Sequence, residues 1–128
     1  MIPSFTDHAA PRILIVDDQP SNVRLLEHTL RRAGYADVSS TIDPGEVAAL
    51  HARNRYGLIL LDLQMPGLDG FGVMKQLRDV DSTAAILVIS ADPSQKSAAL
   101  AAGASSFLNK PFLLTDVVAR VQELLAGA

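Results

Sequence analysis

The chain has 128 residues, 48% of them hydrophobic and 20% charged, a balance that suits one globular domain with a buried core. A formal charge of −3 lacks the basic surface that non-specific nucleic-acid binding requires. Cysteine is absent, which excludes disulfides, thiolate metal sites and thiol nucleophiles, and no apolar run approaches the ~20 residues of a membrane span.

Residues 1–10 (MIPSFTDHAA) have neither the basic start nor the apolar run of a signal peptide. They read as a loose leader before a domain over residues 11–128 of a cytoplasmic protein. Arg12–Val16 (RILIV) reads as a strand ending on Asp17-Asp18. From Pro20 to Ala33, Val23, Leu26, Leu30 and Ala33 recur at helical spacing, with Arg24, Glu27, Arg31 and Arg32 facing outward and Gly34 as the stop. Asp37–Ile42 reads as a short strand. Asp43-Pro44-Gly45-Glu46 then has the form of a helix start, with Asp as cap, Pro in first position and Glu in third.

Leu58–Leu61 (LILL) is apolar at every position and too short for a helix, which suits a central parallel strand covered on both faces; it ends on Asp62. Asp69 reads as the cap of a helix from Gly70 to about Val80, with Phe71, Met74 and Leu77 inward and Gly72 retained for close packing. Ala85–Ile89 (AILVI) is a strand ending on Ser90. Asp92-Pro93 opens an Ala-rich helix that Gly103 stops, and Ser105–Asn109 is a strand ending on Lys110-Pro111. Thr115 reads as the cap of the last helix, with Val117, Val118, Val121, Leu124 and Leu125 as its apolar stripe.

Five strands alternating with five helices imply an open, doubly wound parallel sheet with helices on both faces. Ligands of such sheets sit beyond the carboxyl ends of the strands. Asp17, Asp18, Asp62, Ser90 and Lys110 all fall at those ends. Two carboxylates ~4 Å apart repel by about 4 kcal/mol at an effective dielectric near 20, so the acidic group calls for a cation or a proton. Magnesium takes hard oxygen ligands of this kind, and the Gln64 backbone carbonyl is a further oxygen just past Asp62. Lys110 and Ser90 are suited to the oxygens of a phosphoryl group in transfer, and a carboxylate is left as the nucleophile. Singly, each element is ordinary: an Asp-Asp pair after a strand is commonly a solvated turn, and a Ser there a cap.

As a set, the motifs IVDD (Ile15–Asp18), QPSN (Gln19–Asn22), LLDLQMPGLDG (Leu60–Gly70), VIS-A (Val88–Ala91) and GASSFLNKPF (Gly103–Phe112) resemble those of a response-regulator receiver domain of bacterial two-component signalling. The resemblance covers about Arg12 to Ala126. It implies a flavodoxin-like fold with strand order 2-1-3-4-5 and a phosphoacceptor switch fed by a histidine kinase or histidine phosphotransfer protein. Asp62 would be the phosphoacceptor, and Asp17, Asp18, Asp62 and the Gln64 carbonyl would hold Mg²⁺, with Mn²⁺ as a substitute. Ser90 and Lys110 would bind the phosphoryl group, and Ser90 and Phe107 would form the switch. A cis Lys110–Pro111 bond is implied, and Gln64 and Asp92 stand at the family's tuning positions.

The resemblance further implies output through the fourth helix, fifth strand and fifth helix, including Gln95, Lys96, Ala99, Phe107 and Gln122, to a partner or a phosphorylation-dependent homodimer. The first helix, with Val23, Arg24, Glu27 and Arg31, would dock the phosphodonor. His8, His28 and His51 read as structurally ordinary, and Met65 and Met74 as packing. Two rival readings use the same residues. An Asp-nucleophile phosphohydrolase would place its acid two residues beyond the nucleophile, a spacing that Asp17-Asp18-Gln19-Pro20 lacks. A receiver-like interaction module would be expected to lose one of the five site residues.

Overall fold

The computed structural model describes residues 11–64, 70–80 and 83–126; the leader, Met65, the Asp69 cap and the last two residues lie outside this set. Five parallel strands form one sheet: β1 (Arg12–Val16), β2 (Asp37–Thr41), β3 (Leu58–Asp62), β4 (Ala85–Ser90) and β5 (Ser106–Asn109). Five α-helices connect and flank them: α1 (Pro20–Arg32), α2 (Val47–Asn54), α3 (Gly70–Asp79), α4 (Lys96–Ala101) and α5 (Leu114–Ala126). Helices α2 and α4 are each entered through a 3-10 turn, Pro44–Glu46 and Pro93–Gln95. The strand order is β2-β1-β3-β4-β5, as the motifs imply.

Period-two alternation divides the central strands between two cores. Leu14, Val16, Ile59, Leu61 and Val88 pack with Val47, Val73, Met74, Leu77 and Ala99, which places α2, α3 and α4 on one face. Ile13, Ile15, Leu58, Leu60, Leu87 and Ile89 pack with Val23, Leu26, Leu30, Val117 and Val121, which places α1 and α5 on the other. The strand β3 is buried at every position because both faces are covered. By contrast β2 lies at the sheet edge and buries only Val38 and Thr41.

Several local expectations hold for the stated reasons. Gly34 (φ 106°) ends α1: its N–H donates to the Arg31 carbonyl while the Tyr35 N–H reaches the Leu30 carbonyl. Asp43 caps its 3-10 turn through the Gly45 N–H at 2.9 Å. Others change. Ala33 is an exposed cap residue and not part of the apolar stripe. The last helix starts at Leu114, before Thr115. Its first turn is held by Asp116, whose carboxylate accepts from the Leu113 N–H at 3.3 Å and suits the positive helix end.

A tight backbone approach falls at Gly70. A Cβ there would stand 2.5 Å from Leu63 Cδ2, 2.8 Å from Leu63 Cα and 3.0 Å from the Asp62 carbonyl oxygen. Gly70 therefore lets α3 begin directly against the end of β3.

Candidate functional site

In a sheet of this order the chain turns in opposite directions from β1 and β3, and a crevice opens between their carboxyl ends. The registers are Val16 with Leu61, Asp62 with Ile89, and Ser90 with Asn109. One step beyond Val16 and Leu61, Asp17 and Asp62 flank that crevice, and Ser90 and Lys110 complete its edge. The five predicted site residues all stand at this one end of the sheet.

One carboxylate oxygen from each of Asp17, Asp18 and Asp62 lies within 4.8 Å of the others. Asp17 is buried and held in place: its Oδ1 accepts from the Gln19 N–H at 2.9 Å and its Oδ2 from the Asn22 amide at 3.4 Å. Burial nevertheless pushes its carboxyl above the ordinary value of 3.8, and the neighbouring Asp62 charge acts in the same direction. The Gln19 hydrogen bond, the Lys110 ammonium and Asn22 oppose this without reversing it. An all-oxygen donor set under mutual repulsion fits a hard divalent cation.

Asp62 is buried, with Oδ1 accepting from the Gln64 N–H at 2.9 Å and Oδ2 paired to Lys110 Nζ at 3.2 Å. Lys110 is fixed from the backbone side, where its N–H donates to the Ser90 carbonyl at 2.8 Å. The Lys110–Pro111 bond is cis. Asp92 is committed to capping: its carboxylate accepts from the Ser94 N–H at 3.0 Å and the Ser94 hydroxyl at 2.6 Å. These bonds hold its carboxyl below the ordinary value.

Several surface expectations change. Ala99 and Phe107 are core residues, so the α4–β5–α5 face exposes Lys96 and Gln122 but not these two. Val23 is likewise core. Glu27 accepts from the Ser40 hydroxyl at 2.8 Å, and Arg31 donates to the Val38 carbonyl at 2.7 Å, so both lean onto β2. Near the site α1 presents Asn22, bonded to Asp17, and Leu25, 49% exposed. Leu25 lines a groove of about 490 Å³ with Leu26, Ile89, Phe112 and Leu114, next to Asp17 and Lys110.

Sequence reasoning missed three arrangements: the groove, the bond from the Ser90 hydroxyl to the Gln95 side chain (2.6 Å), and a buried His51 whose Nδ1 accepts from the Tyr56 N–H at 3.1 Å. The exposed Leu25 within an otherwise amphipathic helix was the available signal for the first. The other two depend on side-chain direction, which spacing alone does not encode.

The family model for the response regulator receiver domain matches residues 13–122. The transcriptional regulatory protein PrrA of Mycobacterium tuberculosis is 40% identical over 122 residues, 94% of this chain and 52% of PrrA. The response regulator PleD of Caulobacter vibrioides is 42% identical over 117 residues, 88% of this chain and 26% of PleD. The chain thus spans about half the length of PrrA and about a quarter of PleD. Among solved structures, the chemotaxis protein CheY4 of Vibrio cholerae is similar with a TM-score of 0.84 at 31% identity, covering 91% of this chain and 100% of CheY4.

Proposed function

The chain belongs to the response-regulator receiver family, whose members are phosphoacceptor switches of two-component signalling, and we propose that Asp62 is its phosphoacceptor. The observation that carries this reading is the pairing of Lys110 Nζ with Asp62 Oδ2 at 3.2 Å beside a cluster of three carboxylates. Residues 11–128 would form the receiver domain of a cytoplasmic protein.

Asp17, Asp18, Asp62 and the Gln64 carbonyl would hold Mg²⁺ or Mn²⁺. The ion supplies charge neutralisation for the incoming phosphoryl oxygens. An Asp62 carboxylate oxygen attacks the phosphorus of a phosphohistidine on the donor. The P–N bond breaks, the imidazole leaves with its electron pair, and an aspartyl phosphate results. Lys110 neutralises an equatorial oxygen in transfer, and Ser90 donates a hydrogen bond to another. Hydrolysis returns Asp62, so the domain catalyses its own phosphorylation and dephosphorylation as a signalling cycle and not the turnover of a free substrate. Gln64, exposed beside Asp62, and Asp92, in the loop after Ser90, would tune the lifetime.

A histidine kinase or histidine phosphotransfer protein is the donor. The apolar groove of Leu25, Phe112 and Leu114 beside Asp17 and Lys110 supports a helical face docking there with its histidine over the acidic cluster. Output would pass through α4–β5–α5, with Ser90 and Phe107 as the switch, to a partner or a phosphorylation-dependent homodimer. Intact mass after incubation with Mg²⁺ and acetyl phosphate tests the reading. One phosphoryl adduct on the wild type and none on Asp62→Asn is expected; an equal adduct on both removes Asp62 from the role.

A further inference from the structure

Ser90 is fully buried, and its hydroxyl is engaged twice. Its oxygen accepts from the Asp92 N–H at 3.1 Å, and its proton goes to Gln95 Oε1 at 2.6 Å. A hydroxyl has one proton to donate. While Gln95 holds it, Ser90 has none for a phosphoryl oxygen on Asp62.

Gln95 is also the residue at which the 3-10 turn Pro93–Gln95 passes into α4. That helix has six residues and buries one side chain, Ala99. Its apolar anchorage is slight, so a side-chain bond at its first turn is a large share of what fixes it to the sheet. The bond from Ser90 to Gln95 therefore joins the candidate phosphoryl ligand to the start of the helix on the output face.

We infer that Gln95 is a positioning residue, a latch that withholds the Ser90 hydroxyl and pins the start of α4 until a phosphoryl group on Asp62 competes the hydroxyl away. This rests on the phosphoacceptor reading of Asp62. Phosphorylation exchanges one acceptor for another, from the neutral Gln95 amide to an anionic phosphoryl oxygen, and charge-assisted bonds are the stronger kind. The released Gln95 then frees the first turn of α4. The latch also lowers apparent affinity for a phosphoryl group, because the unlatched state is only a fraction of the population.

The test is a titration of the full chain with beryllofluoride and Mg²⁺, a phosphoryl mimic that binds without covalent chemistry, combined with amide hydrogen exchange across Lys96–Ala101. Removing the latch with Gln95→Ala is expected to tighten beryllofluoride binding by about 3- to 10-fold, the scale of one net hydrogen bond. It should also raise exchange in α4 of the mimic-free chain by a similar factor. Gln95→Glu keeps an acceptor and should gain nothing. In a Ser90→Ala background, Gln95→Ala should change binding less than about twofold, since its target is gone.

If the wild type binds beryllofluoride but Gln95→Ala binds it no better, or gains equally with and without Ser90, the latch is overturned alone. A wild type that binds no beryllofluoride and takes no phosphoryl group from acetyl phosphate overturns the phosphoacceptor reading, and the latch with it.

Discussion

Lys110 Nζ, just past β5, lies 3.2 Å from Asp62 Oδ2 at the end of β3, and β4 runs between the two strands. The pair thus spans the edge on which Ser90 stands. Lys110 serves two opposed purposes there: it neutralises Asp62 in the resting state and competes with any cation for the same carboxylate. Lys110→Ala should therefore bind Mg²⁺ more tightly by calorimetry, yet accept phosphoryl from acetyl phosphate more slowly by about 10²-fold, the scale for losing one charge-stabilising donor. Weaker Mg²⁺ binding in this variant would contradict the competition.

Burial, with the neighbouring Asp62 charge acting in the same direction, raises the Asp17 carboxyl pKa. A folded-state value above 3.8 means that ionisation opposes folding, a penalty absent below about pH 3.8 and full once the pH exceeds the folded value. Asp17→Asn keeps an acceptor for the Gln19 N–H and removes the charge. In metal-free buffer at pH 7 it should be more stable than the wild type by about 1 kcal/mol in urea unfolding, with the advantage disappearing toward pH 3. The same variant should lose Mg²⁺ binding. Equal stability at neutral pH would mean that ionised Asp17 carries no net penalty in the folded chain.

Gly70→Ala should couple stability to activity. The new methyl would meet Leu63 Cα at 2.8 Å, a backbone atom that a rotamer change cannot clear. The expected loss is about 1–3 kcal/mol. Because Leu63 follows Asp62 directly, the shift displaces the acceptor too, and acetyl phosphate labelling should slow by tenfold or more, on the scale of an ångström-level misplacement. Gly34→Ala also breaks a positive φ but lies at the far end of α1, so it should lower Tm without changing labelling of the folded fraction.

His51 gives a pH dependence remote from the site. Burial holds its imidazole below the ordinary 6.5, with Arg55 acting in the same direction, and its Nδ1 must stay unprotonated to accept the Tyr56 N–H. The stability this confers is complete above pH 6.5 and is lost as the pH falls through the folded value. His51→Gln should flatten the stability profile below pH 6.5 and cost about 1–2 kcal/mol at pH 8 through the lost bond. A wild-type profile that is flat between pH 7 and 5 while His51→Gln is also flat would contradict this.

The strands were legible to within a residue because RILIV, LILL and AILVI are apolar on both faces, which leaves only a covered parallel strand. With the strands fixed, the positions of Asp17, Asp62, Ser90 and Lys110 followed, since each is the polar residue that ends such a run. Side-chain direction was less legible. Glu27 and Arg31 share the polar side of α1 by spacing, but the short edge strand β2 offers them Ser40 and the Val38 carbonyl. Ala99 and Phe107 were placed on an output surface, yet α4 and β5 turn them into the core. The close approach at Gly70 was not legible either, because only the assembled junction of β3 and α3 shows that Leu63 stands against it.

The most direct test of the central claim is to locate the phosphoryl group itself. After labelling with acetyl phosphate and Mg²⁺, borohydride reduces an aspartyl phosphate to homoserine, which peptide mass spectrometry can assign to a position. The account predicts homoserine at position 62, dependent on Mg²⁺ and found at the same position in a Gln64→Ala variant that keeps its backbone carbonyl. Homoserine at position 17 or 18, or a phosphoryl group that resists borohydride on a hydroxyl such as that of Ser90, would contradict it.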